Sequence, residues 1–221
     1  IKLQFLTCKT TSRSLKLFSI LLMIMEKETV KFVEIYTEST PNPKMLKFVS
    51  TSVLLPNEML ECKSVQEASL SPLAQALFEF EYIDSVFISN DFVTLSKKET
   101  EEEWFELSFE LKSFLKEYIL SDKEIVSPAF FEQQKNLKAE NAKVIGIDAQ
   151  IIELLDKYVK PAVEMDGGNI AFKSFDNGIV TLIMQGACSG CPSSSATLKD
   201  GIEAMLKRMI PQVTEVVAEA G

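Results

Sequence analysis

Hydrophobic and polar positions change period several times along this chain, and each change marks an element. From Lys31 to Thr37, apolar and polar residues alternate and β-branched and aromatic side chains are frequent, which predicts a strand. Thr40-Pro41-Asn42-Pro43 breaks it, and Lys44 to Val49 predicts a second strand. Ser71-Pro72 places an N-cap before a proline at the first helical position, opening a helix over Pro72 to Phe80 with Leu73, Leu77 and Phe80 on one face. Asp84 to Ser96 reads as a hairpin turning at Asn90-Asp91. Glu101 to Ile119 has the 3.6-residue period of an amphipathic helix, with Trp104, Phe105, Leu107, Leu111, Leu115 and Ile119 on its apolar side. Residues 30–122 thus form one α+β unit with no sign of catalysis in it.

Between Ser127 and Asp148 the pattern fades into polar residues, and 123–146 is expected to be a linker. Asp148 then suits the N-cap of a helix carrying Ile151, Ile152, Leu155, Val159 and Val163. Pro161 is expected to kink that helix or end its first part, and Gly167-Gly168 to stop it. Asn169 to Phe175 and Ile179 to Met184 are two strands joined by the hairpin signal Asp176-Asn177-Gly178. A cysteine-containing loop follows, then a helix from Ser193 to Met209 with Leu198, Ile202, Met205, Leu206 and Met209 as its buried stripe, and a short last strand near Val213 to Val217. Met184, Met205 and Met209 read as core filler. The expected fold class is α+β: two small α/β-sandwich-like domains joined by a linker. The second, 147–218, is a helix–hairpin–loop–helix unit.

With 221 residues, 46% of them hydrophobic and 25% charged, the chain has the composition of a globular protein with room for two domains. Its net charge of −9 argues against nucleic acid as a partner, since phosphate binding needs a basic surface. Residues 1–25 stand apart: they carry Lys2, Lys9, Arg13 and Lys16, no acid, and the apolar run Leu17 to Ile24. That is the composition of a signal or transit segment, yet the run is far shorter than the ~20 apolar residues a membrane span needs. Met25-Glu26 would make a natural start, so an upstream extension without a role is the duller reading. A cytoplasmic location is expected on that reading, and an organelle if 1–25 is a genuine transit segment. No membrane partner is expected.

Chemistry concentrates in one place. Cys188-Ser189-Gly190-Cys191, within Gly186 to Ser195, sets two thiols in one loop between a strand and a helix start. The chain has no histidine, so triads, Cys-His pairs and histidine-containing metal sites are excluded. The helix N-terminus favours thiolate, and Gly186 and Gly190 let the backbone approach a bulky inorganic group. The loop is expected to be polarised and exposed. A redox disulfide, half of a zinc site and half of an iron–sulfur site all remain open. The redox reading makes the protein a thiol–disulfide oxidoreductase using Cys188 and Cys191, although Ala187, not an aromatic residue, precedes the first cysteine. The zinc reading makes the loop a structural module whose chelation unfolds the second domain. Cys8 and Cys62 have no close companion, and Cys62 reads as an incidental thiol. The simplest completion of a four-ligand site is a symmetric dimer in which each chain gives Cys188 and Cys191.

Asp166-Gly167-Gly168, Gln185-Gly-Ala-Cys-Ser-Gly-Cys-Pro-Ser-Ser194, Thr197-Leu-Lys, Gly201-Ile-Glu, Ile210-Pro and Glu215-Val-Val resemble the C-terminal domain of the NifU-like (Nfu) iron–sulfur proteins. Tyr36-Thr-Glu-Ser-Thr-Pro-Asn-Pro-Lys-Met-Leu-Lys-Phe48, Ser71-Pro-Leu-Ala and Val86-Phe-Ile resemble that family's N-terminal domain. The resemblance implies a non-enzymatic scaffold or carrier. It would bind an iron–sulfur cluster, [4Fe–4S] rather than [2Fe–2S], through Cys188 and Cys191 of two subunits. As a homodimer when loaded, it would receive the cluster from upstream assembly proteins and pass it to apo iron–sulfur proteins. Asn169 stands where the family commonly has an acid, and residues 1–25 lie outside the family pattern. Thr40, Pro41 and Pro43 read equally as a partner-facing turn or as a rigid turn without function.

Overall fold

A computed structural model describes residues 32–99, 103–141, 144–189 and 192–221. Residues 1–25, including Cys8, lie outside these, as do Gly190 and Cys191. The first sheet has five strands: β1 (Ile35–Ser39), β2 (Met45–Ser50), β3 (Leu60–Cys62), β4 (Ile83–Ile88) and β5 (Phe92–Lys97). Their spatial order is β1-β2-β5-β4-β3, antiparallel throughout. Side chains along these strands alternate between two faces. Leu46, Phe48, Leu60, Cys62, Val86, Ile88, Val93 and Leu95 point to one face and pack with the helices α1 (Pro72–Leu77) and α2 (Trp104–Leu120). Lys47, Val49, Glu61, Phe87, Phe92 and Thr94 point to the other. Val49, Phe87 and Phe92 form a small apolar cluster there with Met59.

Local signals explain most of these elements. The Ser71 Oγ accepts the Ala74 N–H at 3.1 Å and donates to the Ile125 carbonyl at 2.7 Å, so one hydroxyl caps α1 and ties it to a distant loop. The β4–β5 hairpin turns at Asn90-Asp91 as expected, and its Ser89 N–H bonds the Phe92 carbonyl. Helix α2 buries Leu107, Leu111, Leu115, Tyr118 and Ile119, with Trp104 packed alongside. Phe105 departs from the expected stripe and is 90% exposed. At 100° per residue it lies on the far side of the helix from Leu107. The strand β3 and the helix α3 (Pro128–Asn141) were not expected. The latter occupies much of the polar 123–146 segment, and its Phe130 is buried in the first core.

The second sheet contains β6 (Gly168–Asp176), β7 (Ile179–Gly186) and β8 (Glu215–Ala220), in that order. β6 and β7 form an antiparallel hairpin closed by Asn177 (φ 51°) and Gly178 (φ 85°), the two left-handed positions of a type I′ turn. β8 runs parallel to β7, which requires a crossover, and helix α6 (Pro192–Met209) supplies it. A helical stretch precedes the sheet as α4 (Ile147–Leu154), a π-helical turn (Leu155–Val159) and α5 (Lys160–Met165). The π turn is the answer to Pro161, which has no N–H and would clash with the carbonyl four residues back. Gly146 (φ 79°), not Asp148, occupies the N-cap of α4, and Asp148 sits in its first turn, where the helix dipole favours an acid. Ile151, Leu155, Val159, Val163, Ile170, Val180, Leu182, Ile202, Leu206 and Val216 make the second core. Met209, expected in the stripe, is half exposed, and Ile210 is buried next to it. Among the described residues no helix is long and apolar enough to cross a membrane.

Candidate cysteine site

β7 ends at Gly186, whose φ of 59° turns the chain out of the ladder. The Ser189 N–H donates to the Gly186 carbonyl at 2.9 Å, closing a four-residue turn with Cys188 in its third place. Helix α6 begins three residues after Ser189, with Pro192 at its start as the sequence indicates. Cys188 is brought to the mouth of a helix, as expected, but its thiol is not exposed. Only 7% of the residue meets solvent, and the side chain belongs to the second core.

Gly168 is the reason it can lie there. A Cβ on Gly168 would fall 2.7 Å from the Cys188 Sγ and 2.9 Å from the Cys188 nitrogen. The Gly167-Gly168 pair therefore does more than stop α5. Gly167 turns the chain with φ 83°, and Gly168 vacates the volume the sulfur fills. A cleft of about 220 Å³ between β8 and α6 is lined by Met184, Cys188, Ser189, Lys199 and Ala218.

The first sheet reaches the same loop. The Gly186 N–H donates to the Glu61 Oε1 at 2.9 Å. The Thr94 Oγ1 donates to the Gly167 carbonyl at 2.7 Å, and that oxygen also accepts the Ala187 N–H at 3.2 Å. The Lys47 Nζ donates to the Met165 carbonyl at 3.0 Å, while it pairs with Glu38 at 3.0 Å and stands 4.6 Å from the centre of the Phe92 ring. The Asn42 amide donates to the Ser189 carbonyl at 3.3 Å. Asn42 is held by its own turn, since its Oδ1 accepts the Lys44 N–H at 3.1 Å and Thr40 Oγ1 lies 2.8 Å from its carbonyl. The Thr40–Pro43 turn thus faces a partner within its own chain. Alternation along β2, β3 and β5 was the one signal that could have found Lys47, Glu61 and Thr94, because it puts them on the sheet face away from the first core.

Burial pushes the Glu61 carboxyl above its ordinary value, against the lowering effect of the Gly186 N–H and Lys63. The other described cysteine behaves differently. Cys62 is fully buried in the first core, where burial first, then Glu67 and Glu61, push its thiol up to about 12. Its thiol is therefore held in the protonated form at neutral pH, inside a core cluster of apolar side chains. Asn169 is also buried, donating to the Gln185 side-chain oxygen at 2.7 Å across the hairpin. Among the described residues no three acidic, thiol or imidazole side chains converge on a metal position. Cys191 is outside that set.

An antiparallel sheet with its helices is followed along the chain by a cysteine-loop unit, and comparison with known proteins finds a family for each stretch. A family described as "NifU-like domain" matches residues 151–217, and one described as "Scaffold protein Nfu/NifU N terminal" matches residues 35–122. A protein of Drosophila willistoni named NFU1 iron-sulfur cluster scaffold homolog, mitochondrial, is 40% identical over 89% of this chain and 66% of its own length. The human protein of the same name is 36% identical over 85% of this chain and 72% of its own length. A NifU-like protein of Schizosaccharomyces pombe is 35% identical over 86% and 74%. The chain belongs to the Nfu/NifU family. It spans about two thirds to three quarters of the length of these three relatives.

Proposed function

We propose that this chain is a non-enzymatic iron–sulfur cluster scaffold that holds its cargo through Cys188 and Cys191 and delivers it to apo iron–sulfur proteins. The observation that carries the reading is the position of Cys188: in a glycine-flanked turn at the N-terminus of α6, inside the span matched by the NifU-like family. The names of the fly and human relatives, iron-sulfur cluster scaffold homologs, support the same class of cargo. Two thiolates per chain complete a four-ligand site only when two chains meet, so the loaded form is a symmetric dimer; four thiolates suit [2Fe–2S] and [4Fe–4S] alike, and the family resemblance favours [4Fe–4S]. The working parts are the 30–122 domain, the 123–146 connection and the 147–218 domain that carries the cysteines. The word "mitochondrial" in those two names supports the organellar reading over the cytoplasmic one.

Anaerobic reconstitution with iron and sulfide, followed by size-exclusion chromatography with metal and sulfide assays, tests this. The expected product is a brown dimer with about four irons and four sulfides per two chains. Cys188→Ala and Cys191→Ala should each leave a folded, colourless monomer. A variant with full cluster content, or a wild type that stays colourless and oxidises Cys188 to Cys191, would overturn the reading.

A further inference from the structure

We propose that the second face of the first sheet, with the Asn42 turn beside it, is a latch that holds the Gly186–Ser189 turn closed, and that the latch opens when the chain takes up a cluster with a second copy. The proposal rests on the reading that Cys188 is a cluster ligand. Four side chains of the first half, Asn42, Lys47, Glu61 and Thr94, bond backbone atoms of Ser189, Met165, Gly186 and Gly167. Every one of those atoms lies in 165–168 or 186–189, the two segments that carry Gly168 and Cys188. Backbone partners matter here, because a side chain can swing away while a bonded main chain cannot move without breaking the contact.

The surfaces also fit closely. A Cβ on Gly186 would lie 3.0 Å from Phe87 Cδ1, and one on Gly167 would lie 2.9 Å from Thr94 Oγ1. Both glycines lie close against the first sheet, and the Gly186 Cβ would in addition meet the Gly167 carbonyl at 2.8 Å. Meanwhile the Cys188 sulfur is turned inward against Gly168. A sulfur in that place cannot share a cluster with another chain. It must rotate outward, and the rotation has to pass through the Gly186–Ser189 turn, whose first and last residues the latch grips. Gly167 and Gly186 are the positive-φ joints on which such a rotation would hinge.

The test is thiol labelling of the full-length, iron-free chain with iodoacetamide, read at Cys188 by peptide mass spectrometry. The variant Thr94→Val with Glu61→Leu keeps side-chain volume and removes two of the four contacts. Labelling of Cys188 should accelerate about tenfold, the factor expected for losing contacts of this kind. Cys62 should stay unreactive, which reports that the first core is intact. Cluster uptake should become faster as well. Unchanged Cys188 labelling with Cys62 still protected overturns the latch. So does slower uptake with unchanged labelling, which would make these residues a supporting cradle for the loop. If Cys62 reacts, the variant has loosened the first core, and hydrogen exchange of the wild type decides: the Gly186 amide should lose protection on cluster loading, and retained protection overturns the proposal. Labelling involves no iron, so a chain that never takes up a cluster would sink the scaffold reading and leave the labelling result standing.

Discussion

Cys62 and Cys188 are both buried thiols in small α+β cores, and they differ in what surrounds their backbones. Cys62 lies in a strand, paired with Val86 across the ladder and enclosed by the first core. Cys188 lies in a turn, with Gly186 before it and Gly168 beneath it, at the edge of the second core. A residue in a ladder cannot turn its side chain out without breaking the sheet, whereas a residue in a glycine-flanked turn needs only local torsions. Two cysteines with similar exposure thus have opposite capacities. Burial alone does not separate an inert thiol from one that can be presented.

The same contrast extends to the two halves, and the largest expected effect would break it at the level of folding. Leu111 and Leu206 are both fully buried, one in each core. Leu111→Ala and Leu206→Ala should each cost about 2–5 kcal/mol in their own half. The chain has one tryptophan, Trp104, packed on the first core, so its fluorescence reports that half alone. In urea, Leu206→Ala should shift the circular dichroism transition while moving the Trp104 signal by less than about 1 kcal/mol. Equal shifts in both signals would mean that the halves fold as one unit.

An intermediate effect separates glycines that serve a turn from one that serves the sulfur. Gly168→Ala places a methyl group within 2.7 Å of both the Cys188 Sγ and the Gln185 carbonyl. It should destabilise the second half by about 1–3 kcal/mol, the usual cost of overpacking, and lower cluster content. Gly146, with φ 79° and open space around it, should cost about 1–2 kcal/mol on mutation to alanine through backbone strain alone, with cluster content unchanged. Thermal melts and iron assays on the two variants check the pair.

The smallest effect concerns two carboxylates with opposite shifts. Burial raises Glu61 above 4.5, so the folded state favours its protonated form. Its contribution to stability is present below the unfolded value and is lost as pH rises through the raised folded value. The Lys207 hydrogen bond and then the Val216 N–H lower Glu203, so its contribution is present above 4.5 and is lost as pH falls through the lowered value. Urea midpoints against pH should show Glu61→Gln flattening the curve just above 4.5 and Glu203→Gln flattening it just below. A wild-type curve unchanged by either substitution would remove both assignments.

Much of this was legible in the residues themselves. Ser71-Pro72, Asn90-Asp91 and Asp176-Asn177-Gly178 encode local backbone preferences, and the structure uses each where it stands. Helix α3 was missed because a polar segment with one buried anchor, Phe130, carries little periodicity. Phe105 was misplaced because a run of apolar residues around Trp104 blurs which face is inward. At the site, the cysteine loop and its helix could be read from spacing, whereas the depth of the Cys188 thiol could not. That depth depends on Gly168, twenty residues earlier in the chain, which the sequence offered as a helix stop and as part of a family motif, with no link to the sulfur.

What the sequence by itself determined is therefore local: most of the strands, the Ser71 cap and the hairpin turns, the two thiols in one loop, and the family the motifs resemble. These follow from short-range sterics and hydrogen bonding, which a few neighbouring residues settle. What only the tertiary structure decided is that the second face of the first sheet is used, with Asn42, Lys47, Glu61 and Thr94 on the turn segments around Cys188. Those contacts join residues separated by 73 to 147 positions. They depend on how two sheets pack, and no window of sequence contains both sides of such a contact.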